Sequence, residues 1–86
     1  MTDAERILAT IADHWLLADD AMHAAESTEM RAVYRVVRAR MYDLLTEACE
    51  YDEGMADALI EEAADRSARH ELKLRSAALY GRACHD

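Results

Sequence analysis

Residues that make turns are almost absent from this chain of 86 residues. It contains no proline, no phenylalanine and only two glycines, Gly54 and Gly81. Strands and hairpins need turn residues at short intervals, and this sequence supplies very few of them. Alanine, leucine, glutamate, arginine and methionine, which are strong helix formers, are abundant instead. The composition therefore predicts an all-α fold.

Cysteine and long apolar runs are also scarce. Only Cys49 and Cys84 occur, which is too few for the disulfide framework of a small secreted domain, so we expect two reduced thiols. We find no charged-then-apolar leader and no apolar run that reaches the roughly 18 residues of a membrane span. The expectation is a soluble, cytoplasmic protein with no membrane association.

Positive charge is in short supply. Ten lysines and arginines face 18 aspartates and glutamates, which gives a net charge of −8. A negative field of this kind opposes a phosphate backbone, so the composition disfavours nucleic acid as a partner. We interpret residues 1–86 as a single helical domain with a marginal core. Because chains of this size often complete their core with a second subunit, we expect a homodimer.

Apolar residues recur at spacings of three and four in three successive segments, which predicts three helices. The first, over about residues 3–25, begins at a capping box of Thr2 and Glu5, and Ile7 widens its apolar face. That face consists of Leu8, Ile11, Trp15, Ala18, Met22 and Ala25. The second helix is predicted over about residues 28–52. Ser27 or Thr28 caps its start, and Gly54 is the left-handed residue that follows its end. Its apolar series is Met30, Tyr34, Val37, Met41, Leu44, Ala48 and Tyr51.

The third helix, over about residues 55–83, presents mostly small residues on its main face. They are Ala56, Ile60, Ala63, Ser67, His70, Leu74, Ala77 and Gly81. Leu72 and Leu79 lie seven residues apart on the opposite side and predict a second packing face. The pattern favours a three-helix bundle, or a long antiparallel helical hairpin with a third packed helix. A continuous helix over residues 3–52 is the alternative, since no glycine or proline enforces a turn near Ser27.

Four arginines and no acid occupy the stretch RAVYRVVRAR, residues 31–40. On a helical wheel Arg31, Arg35, Arg38 and Tyr42 share one flank of the second helix, spread over about 60°, and Arg40 lies on the other flank. Three uses compete for this stripe. It pairs with acidic helices of its own fold, it docks an acidic partner protein or second subunit, or it binds nucleic-acid phosphates.

No catalytic, cofactor-binding or metal-binding constellation can be argued from the sequence. Asp20 with His23, and the run Cys84–His85–Asp86, supply too few ligands for a metal site, and no Gly-rich phosphate loop occurs. We therefore expect no enzyme, no cofactor and no metal.

The leading hypothesis is a small acidic interaction protein of the phage or mobile-element type. It would bind, and thereby inhibit or modulate, a host macromolecule, in the first place a protein. The predicted partner-binding residues are Arg31, Arg35, Arg38, Tyr42, Leu72 and Leu79. The alternative is a small dimeric DNA-binding regulator that uses the stripe of Arg31, Arg35 and Arg38.

Overall fold

The computed structural model of the chain describes the backbone of residues 2–83 and the side chains of residues 2–71. Over residues 2–83 the backbone forms three helices, α1 (Asp3–Ala24), α2 (Thr28–Ala48) and α3 (Glu53–Ala83), and no strand. Helix α1 packs against both of the others. This arrangement confirms the all-α three-helix fold, and the break at residues 25–27 excludes one continuous helix over residues 3–52.

Side-chain caps fix the starts of the helices. The Thr2 Oγ1 accepts a hydrogen bond from the Glu5 N–H (3.2 Å), and the Ser27 Oγ accepts one from the Met30 N–H (3.1 Å). Both caps confirm the sequence prediction, and each contributes on the order of 1 kcal/mol to helix stability. The Asp52 Oδ1 accepts a hydrogen bond from the Met55 N–H (3.0 Å) in the same way. This cap starts α3 at Glu53, two residues earlier than predicted.

The end of α2 differs from the prediction. The helix stops at Ala48, four residues early, and the left-handed residues are Glu50 (φ 56°) and Tyr51 (φ 66°). A hydrogen bond from the Tyr51 N–H to the Thr46 carbonyl (2.8 Å) closes this turn. Gly54 has no positive φ and lies in the first turn of α3. The prediction failed because hydrogen bonds of the turn hold two non-glycine residues in a conformation that ordinarily favours glycine.

Small side chains form most of the core. The buried cluster joins one residue of α1, one of α2 and the residue that follows α2 to two residues of α3, and its members are Ala12, Leu45, Cys49, Ala56 and Ala63. Among residues 2–71, Leu45 is the only large side chain that is fully buried. Alanines on α1 and α3 let the two helices approach closely, as the small-residue face of α3 predicted. They also leave the core with little apolar area.

The orientation of α2 corrects the predicted core face. Met30, Val37 and Leu44 were expected to point inward, yet 45%, 39% and 48% of their surfaces remain exposed. Leu45 and Cys49 point inward instead. The buried face of α2 is therefore rotated by about 80° from the predicted one, which is less than one residue step on a helical wheel. The face that carries Leu45 and Cys49 is buried because α3 packs against these two residues.

Three further residues depart from the expected faces. Tyr51 remains 77% exposed, since it lies in the turn after α2, and Ile7 of α1 remains 59% exposed. His70, placed by its spacing on the inner face of α3, is exposed at the edge of a groove. The side chains of Leu72, Leu74, Ala77 and Leu79 lie outside the described residues.

The molecule is long and flat for its size. Its extents are 54 × 39 × 18 Å and its radius of gyration is 16.2 Å. A compact chain of this length has a radius of gyration of about 12 Å. A flat shape gives the α1–α2 pair two broad sides, and α3 covers one of them.

Candidate interaction surfaces

Arg38, at the centre of the arginine stripe, is engaged within the fold. Its Nη1 donates a hydrogen bond to the Asp19 Oδ1 at 2.5 Å, and its guanidinium lies 5.8 Å from the centroid of the Trp15 ring. The side chains of Arg38 and Asp19 are 29% and 22% exposed. The ion pair and the cation–π contact therefore lie partly shielded from water, and they join α2 to α1.

Arg31 and Tyr42 also make contacts inside the molecule. The Arg31 Nη2 donates a hydrogen bond to the Ala25 carbonyl at the end of α1 (3.2 Å), where a cation also opposes the negative end of the helix dipole. The Tyr42 hydroxyl donates a hydrogen bond to the Asp57 Oδ1 on α3 (3.0 Å). That hydrogen bond, with some burial and the charges of Asp57 and Glu53, raises the pKa of Tyr42.

Arg35 differs from the other three residues of the stripe. It is exposed and makes no hydrogen bond or ion pair with any other described side chain. The stripe is thus divided. Arg31, Arg38 and Tyr42 connect elements of this fold, whereas Arg35 faces solvent, and a partner-binding role for these residues stays a prediction.

On the side of the α1–α2 pair that carries α3, the groove between α1 and α3 is polar. It has a volume of about 360 Å³ and is lined by Asp13, Leu16, Leu17, Asp20, Ala63, Arg66, Ser67 and His70. The Arg66 Nη2 donates a hydrogen bond to the Asp13 Oδ1 at 2.9 Å. This second ion pair joins α3 to α1, and it adds little stability because both side chains are well exposed.

The other side of the pair carries an apolar groove between α1 and α2, and Leu17 lines both this groove and the polar one. Its volume is about 340 Å³, no aspartate, glutamate, lysine or arginine lines it, and its residues are His14, Leu17, Ala18, Ala21, Tyr34, Val37 and Met41. Apolar side chains three, four or seven positions from these residues extend the surface along both helices. We call this surface the open face and define it by six exposed side chains: Ile7, Leu17, Met30, Val33, Val37 and Leu44.

Few groups in the described part of the chain offer chemistry. No cluster of three histidine, cysteine, aspartate or glutamate side chains able to hold a metal ion occurs there. The His23 Nδ1 lies 2.7 Å from the Asp19 carbonyl oxygen and 3.6 Å from the Asp19 carboxylate, so it is directed at Asp19 and not at Asp20. Burial, followed by the charge of Asp52, raises the pKa of the Cys49 thiol. Both effects disfavour the nucleophilic thiolate.

The helices of the described chain include none that is long and apolar enough to cross a bilayer. Comparison with protein-family models, with curated proteins and with solved structures finds no match to this chain. The arguments about function therefore start from the residues themselves.

Sequence reasoning missed the open face because it assigned the apolar series of α2 to the core. One signal was present in the sequence. Val33, Val36 and Val37 make the apolar surface of α2 wider than contact with a single neighbouring helix needs, and all three are at least 39% exposed. A wide apolar surface on a short helical chain indicates a second contact.

Proposed function

We propose that this protein is a small non-enzymatic interaction module that docks a protein partner on its open face. One observation carries the proposal. Six large apolar side chains of α1 and α2, on the side that α3 does not cover, remain at least 39% exposed. Contiguous apolar surface of this kind on a small water-exposed domain marks a site of protein contact.

The energetics of the open face suit docking. Each of the six side chains would gain about 1 kcal/mol on burial, since roughly half of its apolar surface is still in water. No aspartate, glutamate, lysine or arginine lines the groove beside Val37, so a partner need not desolvate any of those charged groups there. Binding at this surface would depend on shape and apolar area, with charged residues at its margins.

The acidic surface elsewhere gives this module a second property. A net charge of −8 keeps a small protein soluble despite its exposed apolar residues. In our proposal the module acts by holding a protein partner on this surface, and no chemical step is needed. The DNA-binding alternative has less geometric support, because Arg31 and Arg38 already contact Ala25 and Asp19.

Site-specific photo-crosslinking tests the proposal. A photoreactive amino acid replaces Val37 on the open face, and the matched control replaces Ala39, which is exposed on the same helix but points away from that face. In cells that express the full chain, we expect protein adducts from position 37 and few or none from position 39. No adduct at position 37, or equal adducts at both positions, would contradict the proposal.

A further inference from the structure

We infer that the occupant of the open face is a second copy of this chain, packed so that the two α1–α2 pairs face each other. The inference rests on the proposed function, because it takes the open face to be a docking surface. Three observations support a second copy: the surface area of the chain, the apolar series of α2 and the charges along one edge of α2.

The isolated chain exposes more surface than a compact monomer does. Its accessible surface is 6716 Å², whereas a monomer of this mass exposes about 5,100 Å². The excess of about 1,600 Å² is larger than the roughly 800 Å² that each partner contributes to a standard stable interface. This excess belongs to the chain as a whole, and Leu45 is the one large side chain that is fully buried among residues 2–71, so the chain has ample area to give to a dimer.

A second copy would also bury the apolar series of α2. Met30, Val37 and Leu44 follow the three-four spacing of a core helix, yet they lie beside water in the single chain. A two-fold interface uses the same patch on both subunits, so an apolar row of this kind meets an identical apolar row. Helix pairing through Val33, Val37 and Leu44 would complete on the open face the packing that α3 supplies on the other side.

Charges along the margin of the open face are self-complementary. Glu29, Arg40 and Glu47 lie on one edge of α2 within about 20° of each other, next to Val33 and Leu44. All three are exposed and make no ion pair with other described side chains. In an antiparallel pairing of two α2 helices, Arg40 of each copy can lie opposite Glu29 or Glu47 of the other. Every such contact occurs twice because of the symmetry.

The net charge of the chain opposes dimer formation, and this repulsion makes the salt dependence of the dimer affinity a test of the inference. Two chains of −8 repel each other, but the groove beside Val37 has no acidic lining, and salt screens charges beyond about 8 Å at physiological ionic strength. The affinity of a second copy should therefore rise as salt is added. The affinity of a basic partner for the same protein would fall.

Sedimentation equilibrium of the full chain tests the inference. We expect a mass of twice 9.7 kDa that falls towards the single-chain mass on dilution. Val37→Glu should raise the dimer Kd by about 30-fold or more, the effect of losing a central interface residue. The control Ala39→Glu adds the same charge outside the open face and should leave the Kd within a fewfold of that of the unchanged chain.

A second variant guards against a folding defect. Val37→Thr keeps the shape of the side chain and replaces one methyl group with a hydroxyl, and we expect it to raise the Kd about tenfold because that hydroxyl is buried in the interface without a partner. Circular dichroism should show the same helix content for all variants. Added salt should lower the dimer Kd of the unchanged chain.

Three outcomes would overturn the inference: a single-chain mass at every concentration, a Kd that Val37→Glu leaves unchanged, or a dimer that weakens with salt. Photo-crosslinking at position 37 separates this failure from that of the proposed function. Adducts with a different protein, alongside a monomeric chain, would leave the docking role intact and replace its occupant. Adducts of twice the chain mass support the inference.

Discussion

The two sides of the α1–α2 pair are built from different residues. On the covered side, α3 meets the pair through small side chains such as Ala12, Ala56 and Ala63, and two ion pairs and a tyrosine hydrogen bond join the helices. Leu45 is buried there, and larger apolar side chains such as Leu8 and Ile60 are partly buried against this core. On the open side, large apolar side chains, Val37 and Leu44 among them, remain partly exposed to water. The contrast indicates that the small residues set how closely α3 approaches, while the larger ones remain available for a contact outside the chain.

The largest expected effect comes from adjacent leucines on the two sides. Leu45→Ala removes the one large buried side chain among residues 2–71, and we expect it to lower the free energy of unfolding by about 2 to 5 kcal/mol. Leu44→Ala, at a 48% exposed position, should cost about 1 kcal/mol or less in the dilute monomer. Urea unfolding monitored by circular dichroism measures both. Equal losses in dilute protein would contradict the distinction between the covered and the open side.

The arginine stripe offers a test of intermediate size. A double-mutant cycle with Arg38→Met and Asp19→Asn should give a coupling energy of about 1 kcal/mol, because the pair is partly buried and still reached by water. Arg35→Met is the matched control, since Arg35 is exposed and has no partner among the described side chains. Combined with Asp19→Asn, it should give no coupling. A coupling for Arg35 as large as that for Arg38 would mean that the stripe acts as one unit.

The smallest expected effect concerns Tyr42. Its hydrogen bond to Asp57 raises its pKa above 10.0 in the folded chain, so the neutral form is favoured by folding. The stabilising contribution is fully present below pH 10 and is lost as the pH rises through the higher folded pKa. The stability difference between the unchanged chain and Tyr42→Phe should be constant at neutral pH and shrink above pH 10. Chemical unfolding at a series of pH values measures it, and a difference that does not shrink contradicts the role of the hydrogen bond.

Several parts of the fold follow from local physics and were predictable. The number of helices came from the apolar spacing and the lack of turn residues, and the starts of α1 and α2 came from the capping side chains Thr2 and Ser27. Such features depend on a few neighbouring residues, whose preferences the sequence contains directly. The turn after α2 was not predictable in the same way, because hydrogen bonds hold the non-glycine residues Glu50 and Tyr51 in a left-handed conformation.

The candidate site divides along the same line. Wheel geometry places Arg31, Arg35, Arg38 and Tyr42 on one flank of α2, and pairing with acids of the same fold is one of the three uses that the sequence leaves open. The sequence pattern does not identify Asp19 and Asp57 as the carboxylates that accept hydrogen bonds from Arg38 and Tyr42. Those acids are 19 and 15 residues away in the chain, so their proximity depends on how the helices pack. Leu72 and Leu79, predicted as a second packing face, have side chains outside the described residues and stay a prediction.

The sequence by itself determined that this protein is helical, acidic and short of core-forming area, because composition and spacing act within each helix. Only the tertiary structure decided which side of α2 turns inward. An apolar series gives the direction of a helix face but not the number or position of the neighbours that will cover it. Here α3 covered the face of Leu45 and Cys49, which left Val37 and Leu44 in water. Contact between α2 and α3 therefore decided which face of α2 is buried, and the apolar series that the sequence predicts as core remained exposed.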